Sequence, residues 1–122
     1  MINSGLDILL YYNLLDYNIN MKQSFFLYKS TNPQKKYMVR FLNESTGKIN
    51  TIHFGSINYS DYTINKDEKR KVLYRIRHAS DNINNLKYPG CWSWHLLWNK
   101  PTLEASIKDM QTTFNIKVYK EY

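Results

Sequence analysis

All three tryptophans of this chain fall within seven residues, inside the run Gly90-Cys91-Trp92-Ser93-Trp94-His95-Leu96-Leu97-Trp98-Asn99-Lys100-Pro101-Thr102. Each indole can hide about 150–250 Å², so a small domain that concentrates them in one place is expected to build its core there. Leu96 and Leu97 add to that core. Pro101 suits the first turn of a helix. Leu103, Ile107, Met110 and Phe114 come next, at steps of four, three and four, one apolar stripe at helical period. This half of the chain is the expected hydrophobic anchor, onto which a basic helix and a hairpin dock.

The chain has 122 residues, enough for one domain whose core needs no staples. Its lone cysteine, Cys91, excludes an internal disulfide and fits a reducing compartment. No apolar run approaches the roughly eighteen residues that span a bilayer, so no membrane span is expected. Met1 to Asn20 carries Asp7 and Asp16 with no basic n-region, which makes a poor secretory signal. A soluble intracellular protein is the expectation. The same segment holds Ile8-Leu9-Leu10-Tyr11-Tyr12 and Leu14-Leu15 and differs from the rest of the chain in charge and polarity. Residues 1–20 are therefore expected to be an extension, either a mis-called start ahead of Met21 or a loosely attached helix, and residues 21–122 a single domain.

The net charge of +7 is unevenly placed. Before Lys35 the only charges are Asp7, Asp16, Lys22 and Lys29, which cancel. The excess lies from Lys35 onward and favours an anionic partner, whether nucleic acid, an acidic protein face or an anionic membrane surface. The competing reading is a solvated basic surface that keeps the protein soluble.

Local patterning predicts a small α+β domain. Gln23 to Lys29 is rich in Phe and Tyr and reads as a strand, followed by a polar loop from Ser30 to Gln34 that contains Pro33. Lys36 to Leu42 alternates, with Tyr37, Val39 and Phe41 on one side. Asn43 to Lys48 is a turn in which Gly47 can take positive φ. Ile49 to Phe54 returns as the partner strand with Ile52 and Phe54 facing in, and Gly55 is expected to stop it. A helix from Lys66 to His78 is capped by Thr63 or Asn65 and has Asp67 and Glu68 in its first turn. Val72, Leu73 and Ile76 are expected to face the core, with Lys69, Arg70, Lys71, Arg75 and Arg77 on the rest of the surface. Asn82 to Pro89 is an Asn-rich loop, and Asn115 to Tyr119 is expected to close the fold as a strand.

The strongest functional signal is that basic helix. Lys66, Lys69, Arg70, Lys71, Arg75, Arg77 and His78 form a ridge that phosphates can occupy, with Tyr74 interleaved to stack or donate. Charge alone reads no sequence, and basic amphipathic helices also dock acidic proteins. Trp92, Trp94 and Trp98 suit a base-stacking platform, but beside Leu97 and the apolar stripe of the next helix burial is the expectation. Cys91-x3-His95 is the one local pair with zinc-like spacing, and structural zinc needs four ligands, so no metal is assigned. His53, Asp61, Asp67 and His78 are the residues that a metal-dependent nuclease would use, although nothing in their spacing requires it. Four glycines, none clustered, leave no phosphate loop, and no cofactor is expected.

Several runs carry a resemblance. They are His53-Phe54-Gly55, Tyr59-Ser60-Asp61-Tyr62-Thr63, Lys66-Asp67, Arg70-Lys71, Tyr74 and Arg77-His78, then Trp92-Ser93, Leu96 to Thr102, Ser106-Ile107-Lys108-Asp109 and Phe114-Asn115-Ile116. On these the chain resembles an uncharacterised family of small basic proteins encoded by giant nucleocytoplasmic DNA viruses of the mimivirus kind. The resemblance spans about Tyr37 to Val118 and leaves out Met1 to Asn20. Cys91 stands where such relatives carry an aromatic, and the Trp94-His95 pair departs from their basic-then-Trp order. The resemblance implies a viral protein of the host cytoplasm or the virion interior, and no established activity. The functional expectation is a non-enzymatic protein that binds nucleic acid through Lys66–His78. The alternatives are an internal virion or scaffolding protein that meets an acidic partner and, more weakly, the nuclease.

Overall fold

The computed structural model describes residues 22–122. The expected extension over residues 1–20 lies outside them. The domain is α+β, as its patterning predicts. A four-stranded sheet is built from β1 (Ser24–Lys29), β2 (Lys35–Asn43), β3 (Lys48–Ser56) and β4 (Lys117–Lys120), in the order β3-β2-β1-β4. Between β3 and β4 run a one-turn helix α1 (Tyr62–Asn65), the basic helix α2 (Glu68–His78), α3 (Pro89–Trp92), a single π-helical turn (Ser93–Leu97) and α4 (Leu103–Phe114).

Period-two alternation sets the register of the sheet. Phe25 pairs with Phe41, Leu27 with Val39, Val39 with Ile52, and Tyr37 with Phe54. These residues line one face and pack into a single core with Trp92, Leu96, Leu97, Ile107 and Met110. The β2–β3 turn closes with Gly47 donating its N–H to the Asn43 carbonyl at 2.8 Å while it holds φ at 72°. β4 lies parallel to β1, with Val118 beside Phe25, so the closing strand is supplied from the far end of the chain.

Gly55 does not stop β3, which runs on to Ser56. It sits inside the strand at φ 79° because a side chain there has no room: a Cβ would lie 2.8 Å from Leu97 Cδ1. Gly55→Ala combines a left-handed backbone with that overlap, and about 1–3 kcal/mol of stability is expected to be lost. Urea unfolding of the variant measures it.

The Trp segment is the anchor that its composition predicts. Pro89 takes the first position of α3. The Trp92 indole N–H donates to the Leu86 carbonyl at 2.9 Å, which ties the Asn-rich loop to the core. Pro101 does not open the next helix. Thr102 is its cap, accepting from the Ala105 N–H at 3.2 Å, and α4 starts at Leu103. The α4 stripe packs inward as expected, with Met110 and Ile107 buried and Leu103 and Phe114 against the edge of the core.

His95, on the π turn, donates from Nε2 to the Ile83 carbonyl at 2.9 Å, because a carbonyl can only accept. Its ring meets Phe114 edge-on. Burial, opposed by that bond to Ile83, holds its pKa below the ordinary 6.5. As pH falls through 6.5 the unfolded chain therefore takes up the proton first, so this contribution to stability is complete above that pH and is lost on the acid side. In His95→Gln, melting temperature followed against pH should lose that acid limb.

Candidate anion-binding cleft

Helix α2 faces the other way from the expectation set by its aliphatic residues. Val72, Leu73 and Ile76 are 53, 48 and 70% exposed, and Tyr74 is the buried residue of the helix. Lys71, Arg75 and His78 are half-buried beside it. The inward stripe is thus 71, 74, 75 and 78, which is also a helical spacing. Aromatic partners decide between the two faces. Tyr74 stacks on Trp98 with centroids 4.5 Å apart and on His78 at 4.3 Å. The Arg75 guanidinium lies 4.5 Å from the Trp94 centroid and donates from Nε to the Trp98 carbonyl at 2.9 Å. The Lys71 ammonium sits 4.9 Å from the Tyr62 centroid. Long basic side chains bury their stems and meet ring faces with their charge, which satisfies this face better than three aliphatic residues would. Burial pushes the Tyr74 hydroxyl up to about 12 and lowers the Arg75 guanidinium from its ordinary value.

The cap of α2 is also not the expected one. Asp67 caps it, accepting from the Lys69 N–H at 3.0 Å and the Arg70 N–H at 3.2 Å. Thr63 lies inside α1, and Lys66 ends α1 in the left-handed region at φ 52°. The Lys66 ammonium is held by the carbonyls of Thr63 and Pro101, each at 2.9 Å.

The eight predicted residues therefore divide. Lys66, Lys71 and Arg75 spend their charge on carbonyls and rings of their own fold. Tyr74 is stacked on two neighbours and is not free to stack on a base. Lys69 is exposed on the outward side with Val72 and Ile76. Arg70, Arg77 and His78 come together along one flank of α2, and there they border a cleft of about 760 Å³.

The floor of the cleft is apolar, made by Phe54, Gly55, Leu97 and Trp98. Its opposite bank brings Lys35 and Lys36 from β2 and Tyr59 and Asp61 from the β3–α1 connection. Two carboxylates reach it, against the four Lys and Arg side chains that border it. Asp61 accepts from the Lys36 ammonium at 2.6 Å, and Asp81 pairs with His78. Among the described residues no carboxylate pairs with Lys35, Arg70 or Arg77. Arg70 and Arg77 are seven residues apart on one helix, about 10 Å along its axis at 1.5 Å per residue, so one extended anion can meet both. Lys35, Lys36 and Tyr59 are absent from the sequence-based site. For the two lysines the one signal is that the excess of basic charge begins at Lys35.

The residues named for metal chemistry do not converge. His53 Nδ1 meets the Ser30 hydroxyl at 2.7 Å, Asp67 caps α2 and Asp61 holds Lys36. Among the described residues no three His, Cys, Asp or Glu side chains are grouped to hold a metal ion. Cys91 is fully buried and its thiol is pushed up to about 12 by that burial. Of the three indoles, Trp92 and Trp98 are buried and Trp94 is half-covered beneath Arg75, so they pack the core as expected. No helix among the described residues is long and apolar enough to cross a membrane.

Residues 26–78, from β1 to the end of α2, match a family of unknown function, DUF5754. The matched stretch contains Lys35, Lys36, Tyr59, Asp61, Arg70 and Arg77, which is one complete bank of the cleft and the helix facing it. The Trp segment that floors it lies beyond the match. No curated protein and no solved structure matches the chain.

Proposed function

We propose that this chain is a non-enzymatic protein that binds nucleic acid, with its phosphates held in the cleft beside α2 rather than around the whole helix. One observation carries this reading. Among the described residues Lys35, Arg70 and Arg77 border a single concavity without carboxylate partners, and with Lys36 they outnumber the two carboxylates that reach it. A phosphate entering there meets uncompensated positive charge, and the net +7 of the chain adds attraction at longer range. The resemblance to small basic proteins of giant DNA viruses carries no established activity; it would place the protein in the host cytoplasm or the virion interior.

The test is a filter-binding titration of DNA and RNA across a salt series, comparing the parent with Arg70→Glu/Arg77→Glu. Both side chains are exposed and stand clear of the core, so circular dichroism should not change. Affinity is expected to fall more than tenfold, and the salt slope to shrink by about one for each phosphate no longer neutralised. Lys69→Glu, on the outward side, should do much less. Unaltered binding by the double variant removes the cleft from the proposal.

A second reading rests on a different observation, the exposed apolar residues Val72 and Ile76 with Lys69 beside them, on the side of α2 away from the cleft that Leu73 borders. An acidic protein partner with an apolar binding face would cover that side, in keeping with an internal virion or scaffolding role. Val72→Asp/Ile76→Asp should lower the melting temperature by no more than about 4–8 °C, since exposed positions contribute little. If that partner exists, the variant should lose nuclease-resistant association in infected cells.

A further inference from the structure

We infer that the cleft takes a single nucleic-acid strand with a base turned inward, and not a duplex; this rests on the nucleic-acid reading above. The first argument is shape. A duplex is a convex rod, and proteins read it with elements that protrude into a groove or lie along it. The protruding side of α2 carries Val72 and Ile76, with Lys69 as its one cation. The unpaired cations Arg70 and Arg77 instead border a recess of about 760 Å³, within the roughly 300–1,000 Å³ of sites that engulf small ligands. The phosphates of a duplex ride on its outside and cannot carry its stacked bases into such a recess. A strand with splayed bases can enter it.

The second argument is chemistry. The recess is polar and cationic at its rim and apolar at its floor, where Phe54, Leu97 and Trp98 lie. A nucleotide has the same division, with a charged phosphate at one end and a flat base at the other. Tyr59 borders the mouth with 72% of its surface exposed, and no ring among the described residues stacks on it. It is the aromatic surface left free for a base, whereas Tyr74 is engaged by Trp98 and His78. Phosphate held by Arg70 and Arg77 and a base laid on Tyr59 together describe single-strand recognition by cation and ring.

Fluorescence anisotropy on the full chain tests this with labelled single-stranded and duplex oligonucleotides of one length, and with heparin as a polyanion that has no bases. The parent is expected to bind the single strand at least tenfold more tightly than the duplex. Tyr59→Ala should weaken single-strand binding about tenfold and leave heparin unaltered. Arg70→Glu should weaken all three. Duplex binding equal to or tighter than single-strand binding overturns the inference, as does a Tyr59→Ala variant that binds the single strand like the parent. In either case loss of binding in Arg70→Glu would keep the nucleic-acid reading standing as phosphate contact alone. Absence of binding to every polyanion would remove both.

Discussion

Trp92→Ala is expected to leave this protein largely unfolded under conditions where the parent is native. The indole has no exposed surface, and its ring lies 5.3 Å from Phe25 on β1 and 6.2 Å from Phe54 on β3, centroid to centroid. It is therefore where the helical layer meets two different strands. Truncating a fully buried Trp costs about 3–5 kcal/mol through lost transfer energy and the cavity left behind. Small domains have about 5–15 kcal/mol in total, so the loss approaches the whole of a modest stability. The half-buried Leu86 carbonyl also loses its donor, which removes a hydrogen bond worth about 1 kcal/mol more. Trp92→Phe separates the two effects, because it keeps a ring against Phe25 and Phe54 but cannot donate. Urea unfolding should rank the parent above Trp92→Phe and Trp92→Ala far below both. A loss under about 1 kcal/mol for the alanine variant, well short of the usual range for such truncations, would mean that the core is organised elsewhere.

The elements that are legible in the sequence are those whose pattern depends on near neighbours. The β2–β3 hairpin comes from alternation and from a turn that needs Gly47. The α4 stripe comes from Leu103, Ile107, Met110 and Phe114. Helix α2 is legible as a helix but not in its orientation, because two stripes at helical spacing compete on it. The aliphatic stripe of Val72, Leu73 and Ile76 is the one that hydropathy selects. The stripe of Lys71, Tyr74, Arg75 and His78 wins because Trp94, Trp98 and Tyr62 wait on the other side. That outcome depends on residues on both sides of α2 in the chain, and periodicity within one segment carries no information about it. A large aromatic flanked by basic residues, in a chain with clustered indoles, is the signal that could have indicated it.

The cleft is illegible for a related reason. Its banks come from Lys35, Tyr59 and Arg70 and its floor from Leu97 and Trp98, so it exists only once β3, α2 and the π turn are assembled. The consequence for function is that much of the basic helix is structural. Lys66, Lys71 and Arg75 contribute to the net charge but are committed to carbonyls and rings. Counting Lys and Arg along α2 overstates the anion-binding surface, and the cations that remain available are shared with β2.

Asp61 joins stability to that surface, and replacing it is expected to move the two in opposite directions. Its carboxylate is only 2% exposed and accepts from three groups, one of them the Thr63 hydroxyl. It caps α1 by accepting from the Thr63 N–H at 2.9 Å, and it holds the Lys36 ammonium, itself only 11% exposed, at 2.6 Å. Asp61→Ala strands the ammonium in a site with little water, and breaking a buried pair from one side costs about 3–5 kcal/mol, with about 1 kcal/mol more for the missing cap. Asp61→Asn keeps an oxygen for the Thr63 N–H and should lose less. In both variants the cleft gains one uncompensated positive charge, because Lys36 borders it and no longer has a carboxylate. Where the variant remains folded, it should therefore bind polyanions more tightly than the parent, with a steeper salt dependence. Urea unfolding and filter binding on Asp61→Asn measure the two effects on one sample. Stability equal to the parent would show that the pair contributes nothing net. Weaker binding by a folded variant would show that the ligand does not lie against Lys36, and would move the anion site away from this end of β2.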